Sequence, residues 1–132
     1  MPQIIVMDAP VAKARPRFTN GHTYTPRATE RAEGRIRDAW IAQVGPEPFT
    51  GPVILTVTAH LARPAGHYGK RGLRPSAPEC PCGRPDWDNL AKLVSDALNG
   101  VAYRDDGQIV AATMRKRYTE EAPAWVISVE AA

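Results

Sequence analysis

The residues best equipped for chemistry fall in one stretch. It runs Pro85-Asp86-Trp87-Asp88-Asn89-Leu90-Ala91-Lys92, continues through Asp96-Ala97-Leu98-Asn99-Gly100, and ends Asp105-Asp106-Gly107-Gln108-Ile109. Leu90, Leu93, Val94, Ala97 and Leu98 recur at the spacing of one helix face. At about 100° per residue, Asp88, Lys92, Asp96 and Asn99 share the opposite face. Asp86 and Asp88 then stand at the start of this helix, and Asp105-Asp106-Gly107 forms a turn beyond its end. Carboxylates brought close together repel, and a cation between them removes that cost. Oxygen-only ligands select a hard ion such as Mg²⁺, with Mn²⁺ as a substitute. Such an ion activates water and screens a phosphate during displacement. Lys92, one turn from Asp88, could hold the scissile phosphate or a developing oxyanion.

Each of these residues also has a plain structural use. Acidic side chains favour helix N-termini through capping and the macrodipole. Asp-Asp-Gly is an ordinary turn, and Asp88 to Lys92 is an ordinary i,i+4 pair. The residue types alone leave both readings open.

The string Pro-Asp-Trp-Asp-Asn-Leu-x-Lys, followed by Asp-Ala-Leu-Asn-Gly and Asp-Asp-x-Gln-Ile, resembles the signature of the RusA family of Holliday-junction resolvases, common on phage genomes. Ala14-Arg15-Pro16-Arg17-Phe18 with Tyr24-Thr25-Pro26 is similar to that family's entry segment. The resemblance implies a Mg²⁺-dependent endonuclease that acts as a homodimer and cuts four-way junction DNA symmetrically. Carried over residue by residue, it implies Asp86, Asp88 and Asp106 as metal ligands and Lys92 as the catalytic lysine. Asp96 and Asp105 sit at acidic positions of the motif without an assigned role.

The charge distribution agrees with a polyanion partner. Net charge is only +3 over 132 residues. Residues 11–37 nevertheless carry a balance of +5 and residues 63–84 a balance of +4, whereas residues 85–109 carry −3. An acidic centre between basic flanks suits a metal site inside a nucleic-acid surface. A bare phosphate binder would gain nothing from the acidic centre. The expected DNA contacts are Lys13, Arg15 and Arg17, which alternate along an extended segment, together with Lys70, Arg71, Arg74 and Arg84 in the loop. Arg84, two residues before Asp86, is the foremost of the loop candidates.

No apolar run is long enough to span a membrane, and the start lacks a signal-peptide pattern, so a cytoplasmic protein is expected. Cys80-Pro81-Cys82 is too closely spaced for a closed zinc site or an unstrained disulfide, so two free thiols are expected.

Further elements must position these groups. Gln3–Met7 reads as a strand. Thr25 as cap with Pro26 at the first turn opens a helix running to about Val44, with Ala28, Ala32, Ile36, Ala39, Trp40 and, at its end, Val44 facing inward. Val53–Leu61 reads as a central strand. Residues 62–85, rich in Pro and Gly, form a long basic loop, expected to be mobile without DNA. Trp87 is expected to pack on the core, with stacking on an exposed base at the branch point as the lesser alternative. Gln108–Tyr118 and Ala124–Val129 read as two strands paired as a hairpin.

The expected architecture is a single α/β (α+β) domain over 1–132. Its small mixed four-stranded sheet carries helices on one face, in the order β-α-β-loop-α-β-β. The expected function is Mg²⁺-dependent resolution of Holliday junctions by a C₂ homodimer. The alternatives are a non-catalytic branched-DNA-binding protein and a nuclease for other branched DNA such as flaps.

Overall fold

The structure, a computed structural model, describes residues 2–132. Strand β1 (Gln3–Val6) is followed by a small hairpin, β2 (Arg17–Thr19) and β3 (His22–Tyr24), and then by helix α1 (Arg27–Gln43). Next come β4 (Val53–Ala62) and a second small hairpin, β5 (Tyr68–Gly69) and β6 (Gly72–Leu73). Helix α2 (Trp87–Ala97), β7 (Ile109–Thr119) and β8 (Ala124–Ala131) complete the chain. Four strands form the main sheet in the order β1-β8-β4-β7. β4 and β7 run parallel, and β8 is antiparallel to both β1 and β4. The expected α+β fold with a mixed four-stranded sheet is therefore the observed one.

β4 is central because its sequence lets it be. Val53, Leu55, Val57, Ala59 and Leu61 are buried, and Ile54, Thr56, Thr58 and His60 on the other face are half-covered. The buried side meets Ile36 and Trp40 of α1 and Leu90, Leu93, Val94 and Ala97 of α2 in one core cluster. Both helices thus cover the same face of the sheet.

Three expectations need correction. The last two strands do not form a hairpin: β8 lies between β1 and β4, and β7 takes the outer edge. β8 carries Trp125, Ile127 and Val129, all at most 1% exposed, with Ser128 on the other face also buried, and cover of that kind on both faces suits an interior slot. β7 carries Arg115, Lys116 and Arg117, and charge of that kind suits an edge. Second, α1 starts one residue later than expected, with Pro26 rather than Thr25 at the cap position and no side-chain cap. Third, its buried face uses Thr29 instead of Ala28, and the Thr29 hydroxyl accepts the Ala14 amide at 3.4 Å.

Polar side chains tie down one sheet edge and the long loop. The Gln43 side chain closes part of the β1 edge: its Nε2 donates to the Ile5 carbonyl at 3.0 Å, and its Oε1 accepts the Ile5 amide at 3.2 Å. The 62–85 loop is tethered at several points. Arg63 donates to the Pro78 carbonyl and lies over the Tyr118 ring at 4.7 Å. Lys116 Nζ donates to the Gly83 carbonyl at 2.8 Å and the Pro85 carbonyl at 3.0 Å. Hydrogen bonds from a charged donor of this kind contribute about 1.5–3 kcal/mol. Lys116→Met should therefore speed amide exchange across residues 79–86 about tenfold or more while the amides of β4 and β8 stay protected. Unchanged exchange in 79–86 would show that Lys116 does not hold the loop.

Candidate functional site

The site is built around the first turn of α2. Asp86 occupies the N-cap position with extended backbone (φ −73°, ψ 143°), and its carbonyl accepts the Leu90 amide. An aspartate there ordinarily turns its carboxylate onto the next free amides. Asp86 does not, and its side chain makes no cap hydrogen bond. Instead Asp86 lines an open cleft of about 730 Å³ together with Arg15, Arg84, Asn89 and the 10–12 segment. One expected metal ligand and two expected DNA contacts are thereby brought together. Asp88, in the same turn, is exposed.

The next turns of α2 carry an ion cluster. Lys13 reaches between the helices, with Nζ at 2.9 Å from Glu33 of α1 and 3.2 Å from Asp96 of α2. Its amide also donates to the Asn89 carbonyl at 2.9 Å. Burial, the largest influence on Lys13, pulls its pKa down. The hydrogen bonds and charges of Glu33 and Asp96 together outweigh it, so the pKa stands above the ordinary 10.5. With its side chain 17% exposed, Lys13 is a clamp between α1 and α2 before it is anything else. Lys92 pairs with Asp96 at 3.5 Å, not with Asp88, and remains 62% exposed.

The turn after α2 is locally organised. Tyr103, fully buried, donates from its hydroxyl to the Ser95 carbonyl at 2.7 Å. Asp105 caps the short 3₁₀ turn Asp106–Gln108: its carboxylate accepts the Gly107 amide, and the Gln108 side chain accepts the Asp105 amide. The Gln108 Nε2 also donates to the carbonyls of Phe49 and Gly51 at 2.9 and 2.7 Å. Gln108 is a positioning residue that apolar periodicity does not reveal, although Asp-x-x-Gln is the spacing of a capping box.

The five aspartates therefore divide into two groups. Asp96 is held by two lysines, and Asp105 is committed to its cap. Asp86, Asp88 and Asp106 are exposed and, among the described residues, have no side-chain hydrogen bond or ion pair.

Those three are not gathered at one point. Among the described residues no three His, Cys, Asp or Glu side chains are grouped closely enough to hold one metal ion. The donor chemistry at the start of α2 nevertheless fits Mg²⁺, which takes one or two carboxylates and completes its shell with water and phosphate oxygens.

Of the remaining candidates, Arg17 stands on the β2–β3 hairpin, and Lys70 and Arg71 form the exposed tip of the β5–β6 hairpin. Arg74 is partly engaged, its Nε donating to the Tyr68 carbonyl at 3.2 Å. Cys80 and Cys82 are exposed free thiols, as expected. Trp87 does not pack on the core: it is 61% exposed, because Asp86–Asn89 all lie in solvent and the covered part of the helix starts at Leu90. No described helix is long and apolar enough to cross a membrane.

A mixed sheet with helices on one face, and a cleft that joins two arginines to an unpaired carboxylate, together describe an α+β domain with a charged surface site. The chain belongs to the RusA endodeoxyribonuclease family, whose model matches residues 9–130. It is also 32% identical over 126 residues to the uncharacterized protein YqaN of Bacillus subtilis (strain 168), covering 88% of this chain and 87% of that one.

Burial pushes the Tyr103 phenol well above its ordinary 10.0, and the negative charges of Asp106 and Asp96 add to the rise. The folded state thus holds this proton more tightly than the unfolded chain. The associated stability is complete below pH 10 and falls as pH rises beyond it, and Lys13 acts in the same direction from pH 10.5 upward. Tyr103→Phe should lower stability at pH 8 by about 1 kcal/mol through the lost hydrogen bond. It should also flatten the decline between pH 10 and 11.5, measured by urea unfolding. A variant as steep as the parent would disconnect Tyr103 from the alkaline transition.

Proposed function

We propose that this chain is a Mg²⁺-dependent, structure-selective endodeoxyribonuclease of the cytoplasm that resolves Holliday junctions as a homodimer. The observation that carries this reading is the division of the aspartates. A purely structural motif would use its carboxylates for caps and ion pairs, as Asp96 and Asp105 do. Asp86, Asp88 and Asp106 remain unused, and Asp86 shares its cleft with Arg15 and Arg84, where an uncompensated carboxylate would ordinarily be expected to find a cation.

In this proposal Asp86 and Asp88 would hold the ion, and Asp106, on the turn after α2, would supply the third carboxylate. When bound, the ion supplies an activated water and screens the phosphate charge. Arg15 and Arg84 grip phosphates flanking the one to be cut, since they share the cleft with Asp86. Lys92 is exposed and only loosely paired to Asp96, so it can turn to the departing oxyanion. Arg17, Lys70, Arg71 and Arg74 extend the contact along the arms. Lys13 contributes by holding α2 against α1. Two such sites, one per copy of a two-fold dimer, match the two strands a junction requires to be cut.

Synthetic four-way junctions incubated with the protein, with and without Mg²⁺, and run on a denaturing gel provide the test. Paired, Mg²⁺-dependent cuts near the branch are expected. Asp88→Asn should reduce cleavage at least a thousandfold while junction binding is kept or tightened, because carboxylate repulsion is gone. Junction binding without cleavage at any divalent-ion concentration would mark a non-catalytic branched-DNA binder, and preferential cutting of flaps would move the substrate class. Lys92→Ala should lower the cleavage rate about a hundredfold with little loss of binding; an unchanged rate would remove Lys92 from the mechanism. Asp106→Asn should raise the Mg²⁺ concentration needed for half-maximal cleavage. No such change would leave Asp86 and Asp88 as the only ligands.

A further inference from the structure

Two aromatic side chains that lie within three residues of cleft-lining residues along the chain are left in water. Trp87 is 61% exposed and Phe18 is 74% exposed, whereas Trp40 and Trp125 are each 1% exposed. Trp87 directly follows Asp86, and Phe18 stands three residues from Arg15; Asp86 and Arg15 line the same cleft. Phe18 is carried on the β2–β3 hairpin, where residues 17–24 are all exposed. The register pairs Phe18 with Thr23 and Arg17 with Tyr24. The hairpin therefore presents an aromatic ring on one face and a cation on the other, and buries neither.

We propose that Trp87 and Phe18 are stacking platforms for unpaired nucleobases, set beside the arginines that hold the adjoining phosphates. Charge selects this occupant over a second copy of the chain. A two-fold interface lays a patch against itself, so Arg15, Arg17 and Arg84 would meet their own like charges, and interface cores are depleted of charge. A strand with unpaired bases supplies both what the cations need and what the rings need: a line of phosphates and a series of open π faces. Bases inside intact duplex have their faces covered by their neighbours, so this surface favours the unpaired positions that a branch point exposes. The proposal takes its location from the reading of the cleft as a DNA site, but it requires no cutting.

The two buried tryptophans make the test direct, because a fluorescence change on adding a soluble ligand reports on Trp87. The full-length protein is titrated in EDTA with oligothymidine, with blunt duplex of equal length, and with heparin, a polyanion that has no bases. Oligothymidine should quench the emission and shield it from acrylamide, and heparin should bind without either effect. Trp87→Phe should keep oligothymidine affinity within about threefold. Trp87→Ala and Phe18→Ala should each weaken it about 5- to 150-fold, the range of one lost base stack, and leave heparin affinity unchanged. Equal quenching by heparin and oligothymidine, or alanine variants that bind oligothymidine like the parent, would overturn the proposal. So would a change of sedimentation coefficient in Trp87→Ala without DNA, which would assign the surface to self-association. If junction binding persists in EDTA while quenching is absent, only the stacking role fails. If no DNA binds at all, the nuclease reading fails with it.

Discussion

The orientation of α2 is the constraint on which the rest depends. Leu90, Leu93, Val94 and Ala97 are fully buried, and burying side chains of this size is favourable by about 1.5–3 kcal/mol for each of the larger ones. That burial fixes the helix about its own axis, and with it the direction of every polar residue in between. Lys13 adds a lateral brace, joining Glu33 on one helix to Asp96 on the other. The helix is thus held along its apolar stripe and from one flank, while the side chains of its first turn, Asp86–Asn89, are exposed on a backbone tied to Lys13 at Asn89 and preceded by the Lys116 anchor at Pro85. A rigid helix with an exposed, acidic first turn is well suited to approaching a ligand without deforming the core.

Electrostatics then separates structural from available charge. Among the acidic residues, Asp8, Glu33, Asp96 and Asp105 are each engaged by a neighbour. Among the basic ones, Lys13, Lys116 and Arg63 are tied into the fold. Arg15, Arg84 and Asp86, which line the cleft, are among the charges that have no such partner. The same residue types thus serve two ends, and only their partners distinguish them.

The sheet strands, both helices and the central place of β4 were legible in the sequence, because apolar periodicity in long segments is a strong signal. The β2–β3 hairpin was also within reach: Asn20-Gly21 takes positive φ at both positions, 51° and 77°, the backbone that such a two-residue turn requires. The β5–β6 hairpin was not, as its strands are two residues each and carry no pattern. The slot taken by β8 eluded local reading, since neighbours in sequence are not obliged to pair when another strand lies between them. Trp87 misled for a related reason. It is in phase with Leu90 and Val94, but phase says which way a side chain points and not whether anything covers it. The distance between Asp86 and Asp106 depends on a turn, residues 98–108, whose path is set by Tyr103 and Gln108 and by no periodicity.

The Gln43 amide, by occupying both backbone groups of Ile5, has a consequence for how copies of the chain can join. Endless strand-to-strand polymerisation requires two recruitable margins per molecule, one to receive and one to extend. Here the β1 margin is already occupied at its outward position, and the β7 margin carries Arg115 and Arg117. Growth by that route would end at a pair, so the fold guards against fibrils while leaving a closed two-body assembly within reach.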